Sequence, residues 1–298
     1  MGNSLVSSNK TIFPWYSFWV KIIVDCEVPG YITSRYYWQH NPGRDRKDTA
    51  MKLPVVQELN ELIEADNLLR ECMRPWDEQL QPHQRNLKKV IHWTALPAIT
   101  VAVNRHFEGH EKTGSHLAAI FSLLFLADYI HCGVGDDDQG VCNDGFQFSI
   151  LVGDYLFGKA MGLLNRINGH GLLQQFSQLI CAVNEGHVMR KLANGQADCE
   201  ILAREQASYY QYSFLTAAIA GGCGPLECKL YEETGHILGM AIALYNEGMD
   251  RTGASYLERT RTLLTTGFRP RNGKICVLRG LFDELIATLK PTREVVAI

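Results

Sequence analysis

Two long apolar runs separated by a short acid-rich loop, within Phe121 to Leu164, constrain the fold of this chain more than any other stretch. In the first run Leu123, Leu124, Leu126, Ala127 and Ile130 recur at helical spacing, which predicts a largely buried helix. The second run restarts at Phe148, carries GDYLFGKAM and keeps the same period. The loop between them holds Asp136, Asp137 and Asp138, the only run of three carboxylates in the chain. Asp128 lies inside the first apolar run. A carboxylate there must be paired, hydrated or bound to a cation, because a lone buried charge is very costly. Steps of four from Asp128 reach Cys132 and Asp136, which puts all three on one stripe of a helix.

The rest of the chain repeats the helical signal. Val55, Val56, Leu59, Leu62, Ile63 and Leu69 follow Pro54 on the 3.6-residue period, and Leu87 to Val103 gives a second amphipathic segment. Gly162 to Leu192 reads as a helical pair broken at Asn168-Gly169-His170-Gly171, Glu200 to Ala220 as one helix, and Leu278 to Leu289 as a last one. Strand patterns are nearly absent, so the fold class is all-α. A chain of 298 residues with 46% hydrophobic content is ample for a sizeable core. The net charge of −3, without a Lys/Arg run, argues against a nucleic-acid partner. Nine scattered cysteines, odd in number and never spaced C-x-x-C, predict a reduced, cytoplasmic chain rather than a disulfide framework. No apolar run reads as long enough to span a bilayer, and Val6 stands where a myristoylation signal wants Ser or Thr.

Residues 1–50 differ in character from residues 51–298. Phe13, Trp15, Tyr16, Phe18 and Trp19 cluster there, with Tyr31, Tyr36, Tyr37 and Trp38 further on and a turn-forming linker from Asn41 to Asp48. The segment reads as an aromatic arm that packs on the main domain or on a partner. The alternative is a peripheral membrane contact, since Trp and Tyr favour the headgroup region.

Ser149, Leu151, Gly153, Asp154, Tyr155, Leu156 and Ala160 follow the pattern A-x-L-x-G-D-Y-L-x-x-x-A, with Ser149 in place of the first alanine. This run resembles the trans-isoprenyl diphosphate synthase (polyprenyl synthetase) family, and Tyr129-Ile130-His131 falls where that family has Leu-Val-His before its first D-D-x-x-D motif. The resemblance implies an isoprenoid-synthase-type helical bundle over residues 51–298. It also implies two aspartate-rich motifs that hold magnesium against a diphosphate, and basic residues that share its charge.

On that register the chemistry is depleted. The first motif's leading aspartates are Cys132 and Gly133, and Asp136 remains; the second motif reads Asn246, Glu247 and Asp250. The G-G-K-R-x-R-P segment reads Ile91 to Pro97, the G-E-x-x-Q segment reads Gly186 to Arg190, and the Lys-Thr pair is Gln211-Tyr212. Asp136 and Asp154 are 18 residues apart, and the stretch between them includes no Arg or Lys. Removing one electrostatic stabiliser typically lowers a rate by about 10²–10³, and these losses occur together.

The expectation is therefore a catalytically degenerate subunit, inactive alone, that modulates an active prenyl diphosphate synthase. The remnant diphosphate and metal region comprises Asp128, Asp136, Asp137, Asp138, Asn246, Glu247 and Asp250, with any magnesium at Asp136, Glu247 and Asp250. The resemblance implies a homodimer, or a heterodimer with a catalytic homologue, and a prenyl diphosphate as ligand class. Two alternatives stay open. One is an active prenyltransferase or class I terpene-synthase-like enzyme with a relocated magnesium site, for which Asp250, Ala254 and Glu258 give an incomplete triad. The other is a protein that binds a prenyl chain without chemistry.

Overall fold

The structure, a computed structural model, describes Leu53 and residues 59–132, 144–268 and 276–289. The aromatic arm and linker, Pro54, and the acids Asp136 to Asp138 lie outside the described residues. Among the described residues every regular element is a helix, as the periodicity predicts. In chain order these are α1 (Asn60–Met73), α2 (Asp77–Leu87), α3 (Ile91–His106), α4 (Glu111–Cys132), α5 (Asp144–Arg166), α6 (Leu173–Leu192), α7 (Cys199–Leu202), α8 (Ser208–Ala220), α9 (Pro225–Asn246), α10 (Asp250–Thr266) and α11 (Cys276–Leu289).

The centre of the bundle is α4. Fifteen of its 22 residues are buried, so it has no wide polar face, and it packs against α1, α3 and α5. Phe121 and Phe125 anchor it: their rings lie 5.3 Å from Phe176 of α6 and 5.3 Å from Tyr209 of α8. The few hydroxyls on it are absorbed locally, as Ser122 donates to the Ala118 carbonyl at 3.0 Å. By length and composition α4 is apolar enough to cross a membrane, contrary to the sequence expectation that no run qualifies. The helices packed around it account for that apolarity. The other half of the central motif, α5, is two-faced: Val152, Leu156, Ala160, Leu163 and Leu164 are buried, while Leu151, Asp154 and Lys159 face outward.

Two helix boundaries differ from the sequence reading in an informative way. The second amphipathic segment divides at Leu87, and α3 starts only at Ile91. The segment read as one helix over 200–220 is interrupted by a π turn at Ala203–Ala207 between α7 and α8. A π turn widens the helix by one residue per turn. Here it keeps six consecutive residues, Glu205 to Tyr210, out of solvent. Helix α9 lies directly against it. A Cβ at Gly239 would come within 2.7 Å of the Ala207 backbone, so only glycine permits this approach.

One buried ion pair fixes the α1–α3 side. Glu61, 2% exposed, accepts from Arg105 Nε at 2.5 Å and Nη2 at 2.7 Å, a two-pronged contact. Burial pulls the Glu61 carboxyl up, but the Arg105 hydrogen bonds prevail and hold it below its ordinary value.

Candidate functional site

The C-terminal end of α4, the middle of α6 and the π turn converge on one polar cluster. Asp128 and Cys132, one turn apart on α4, both face His187 of α6. His187 Nε2 donates to Asp128 Oδ1 at 2.7 Å and lies 3.3 Å from Cys132 Sγ. Its other nitrogen, Nδ1, donates to Glu205 Oε1 at 3.2 Å. Glu205 is in turn gripped by Arg190, one turn beyond His187, with Nη2 to Oε2 at 2.6 Å and Nε to Oε2 at 2.9 Å. Arg190 Nη2 also reaches Glu247 at 3.6 Å, which brings the end of α9 into the cluster. Burial, with the Asp128 carboxylate nearby, pushes the Tyr209 hydroxyl well above its ordinary value.

Local backbone makes this cluster possible. The π turn carries Glu205 inward, and a Cβ at position 186 would come within 2.5 Å of the Glu205 side chain, so Gly186 clears its path. The next residue, Gln206, turns the other way into the core. It meets His92 Nε2 at 2.9 Å, while His92 Nδ1 meets the Tyr210 hydroxyl at 2.8 Å.

Electrostatics follow from burial and company. Burial alone would push the His187 imidazole down, but the Asp128 carboxylate outweighs it and holds the ring well above its ordinary value. His187 is therefore an imidazolium clamped between two carboxyl groups. Burial, with Glu247 nearby, pushes the Glu205 carboxyl up to about 9. Burial draws Arg190 down from its ordinary value, opposed by Glu247. Burial, and then Asp128, push the Cys132 thiol up. His92, sealed in the core, is pushed down to about 4 by burial.

Of the residues singled out by sequence, Asp128 and Glu247 share this cluster, joined through His187, Glu205 and Arg190. Asn246 is exposed at the end of α9 and Asp250 is half-buried at the start of α10. Asp136, Asp137 and Asp138 lie outside the described residues. Glu258, an outer acid of the incomplete triad, is exposed and lies 4.0 Å from Arg261. His131 turns away from the cluster, toward the Ile150 carbonyl at 3.3 Å and Asp154 at 3.6 Å, so Asp154 joins helices. Gln211, at the register position of a phosphate-binding lysine, donates to Glu232 at 2.9 Å and links α8 to α9.

Glu205 and Tyr209 carry the cluster and were not singled out by sequence, because a polar triplet Arg-Glu-Gln inside a helix reads as a solvent face. The available signal was Gly186 beside His187 and Arg190, a small residue next to two cations.

The arrangement binds its own charges. Magnesium takes an all-oxygen, near-octahedral shell. Asp128 offers an oxygen, but a nitrogen and a sulfur stand beside it, and Arg190 reaches the Glu247 carboxylate. This cluster does not fit magnesium.

No family model matches the chain. Among curated proteins it is 22% identical over 167 residues to the octaprenyl diphosphate synthase of Escherichia coli, a match covering 52% of each chain. It is 28% identical over 158 residues to an all-trans-nonaprenyl-diphosphate synthase of Rhodobacter capsulatus, covering 49% of this chain and 48% of that one. It is 24% identical over 148 residues to decaprenyl-diphosphate synthase subunit 2 of Schizosaccharomyces pombe, covering 47% of each. The chain thus spans about half the length of the curated relatives it matches. Among solved structures, a Caulobacter crescentus polyprenyl synthase complexed with calcium and isoprenyl diphosphate superposes with a TM-score of 0.63 at 15% identity, covering 80% of this chain and 98% of that one. The small subunit of a geranyl diphosphate synthase from Antirrhinum majus superposes with a TM-score of 0.53 at 16% identity, covering 75% and 99%. The matched sequences are those of polyprenyl diphosphate synthases, and the helical fold is the one that solved prenyl synthases share, in keeping with the resemblance to the trans-isoprenyl diphosphate synthase family.

Proposed function

We propose that this polyprenyl-synthase-like protein of isoprenoid biosynthesis acts as a non-catalytic subunit that modulates an active prenyl diphosphate synthase. The observation that carries the reading is the position of Arg190 and His187. They sit among Asp128, Glu205 and Glu247, and Arg190 reaches Glu247, the acid of this cluster that lies on the second aspartate-rich motif. Catalysis of ionisation needs positive charge aimed at the leaving diphosphate. Here the buried cations of this cluster are already engaged by the protein's own acids. Where that register places diphosphate-gripping cations, Leu96 is buried in the core and Gln211 bonds Glu232.

Two relatives support the subunit role by what their names say of them: one is a subunit 2 and the other a small subunit. The exposed Leu151, 60% accessible on the outer face of α5, suits a partner-facing surface. In this reading the chain pairs with itself or with a catalytic homologue, meets prenyl diphosphates through that partner, and works in a reducing, cytoplasmic setting. Contact with a membrane surface would fall to the aromatic arm.

The test is prenyl transfer with magnesium, isopentenyl diphosphate and an allylic diphosphate, by the purified chain alone and with a co-expressed catalytic homologue. The expected result is no turnover alone and altered product length or rate in the mixture. Turnover by the chain alone at an ordinary enzyme rate, on the order of 1 s⁻¹, would overturn the proposal. So would a chain that never associates with the homologue.

A further inference from the structure

The same cluster carries a second property that stands whether or not the subunit reading survives. We propose that Asp128, Cys132 and His187 form a zinc-type transition-metal site with three protein ligands and one exchangeable position. The oxygen, sulfur and nitrogen donors of these residues converge within 4.8 Å of one another. Their separations are 2.7 Å for nitrogen to oxygen, 3.3 Å for nitrogen to sulfur and 4.0 Å for sulfur to oxygen. Zinc bonds of about 2.0–2.3 Å in a tetrahedron set donor separations of about 3.3–3.7 Å, and the observed three bracket that range. Sub-ångström side-chain adjustments at Cys132, the last residue of α4, and at His187 close the difference.

The surroundings have the form of a metal site's outer layer. A metal-bound histidine usually gives its second nitrogen to a carboxylate, which fixes the ring and its tautomer. His187 Nδ1 makes that contact with Glu205, which Arg190 holds in place. Asp128 and Cys132 are four residues apart on one helix, so a single turn supplies two ligands at fixed spacing.

As ligands, His187 binds through Nε2 and Cys132 as the thiolate, so both donors are deprotonated in the metal-bound form. The mixed sulfur, nitrogen and oxygen set selects zinc-like ions over magnesium, which requires oxygen throughout. Water fills the fourth position.

The experiment uses the full chain stripped of metal by chelator, titrated with zinc and, separately, with cobalt(II) as a spectroscopic stand-in. The expected result is stoichiometric binding of one ion, with a thiolate-to-cobalt charge-transfer band in the near ultraviolet. Cys132→Ser should abolish the band. Glu205→Gln should keep it and weaken zinc binding by about 10–100-fold. Substituting the exposed Cys181 or Cys199 by serine should change neither. Wild-type protein that binds no stoichiometric zinc, or binds cobalt without the band, would overturn the proposal without recourse to any variant. So would a band that survives Cys132→Ser, one lost in Cys181→Ser, or displacement of zinc by excess magnesium.

Discussion

Two buried arginine–glutamate forks stand out among the described residues, and they behave differently. In the fork between α1 and α3, Arg105 is 33% exposed while Glu61 is sealed, and the carboxyl is held below its ordinary value. In the fork between α6 and the π turn, Arg190 is 8% and Glu205 2% exposed, and the carboxyl is pushed up instead. The bond geometry is alike; the company is not. Arg105 keeps one edge in water and faces one close carboxylate, whereas Arg190 is desolvated and shared with Glu247. A partly hydrated fork acts as a clamp between helices. A dry one with a third charge stores electrostatic imbalance, and that is where binding chemistry becomes available.

The largest expected effect separates the two. Replacing Arg190 with methionine strands a dry carboxyl and should lower stability by about 3–5 kcal/mol, read by urea unfolding at neutral pH. Arg105→Met leaves Glu61 near a solvent edge and should lower it by about 1–3 kcal/mol. Equal losses would mean that hydration of the arginine does not distinguish the forks. Adding Glu205→Leu to Arg190→Met should recover at least about 1 kcal/mol, since the pair is coupled. A fully additive double variant would show that the fork is not a unit.

The pH dependence should have opposite signs at the two sites. His187 is raised above its unfolded value, 6.5. Its contribution is complete below 6.5 and is lost as pH rises through the folded value. The raised Glu205 carboxyl adds to the same loss between 4.5 and about 9. Glu61 is depressed, so its contribution is complete above 4.5 and is lost as pH falls through its folded value. His92, neutral in the core, adds to the acid side between 6.5 and about 4. Thermal unfolding across pH should therefore show that His187→Gln flattens the alkaline limb and Glu61→Gln the acid limb. If His187→Gln altered only the acid limb, the imidazolium between two carboxyl groups would be wrong.

The contrast also marks what sequence reveals. Helical periods of apolar residues announce α4 and α6 because packing acts on every turn, and Asp128 was legible because a carboxylate among leucines is costly wherever it points. Asn168 and the glycines after it announced the break between α5 and α6, where Asn168 adopts φ 53° in the left-handed region. Glu205 gave no such warning. Its burial depends on the π turn, which packs against Gly239 of α9 and has no periodic signature. His187 and Arg190 were visible as departures from a motif, but their partners come from segments 18 and 15 residues away across the bundle.

The widened turn at 203–207 has a consequence for how such a site can arise. A π turn is an α-helix with one residue too many, so an insertion creates it and a deletion erases it. Deleting Ala207 would let the helix close and rotate the residues before it by about 100° relative to α8. Tyr209, Tyr210 and the helix behind them would stay in place while Glu205 swung away from His187 and Arg190. Changes in length at this point, rather than substitutions, are then the genetic events that assemble or dismantle the cluster.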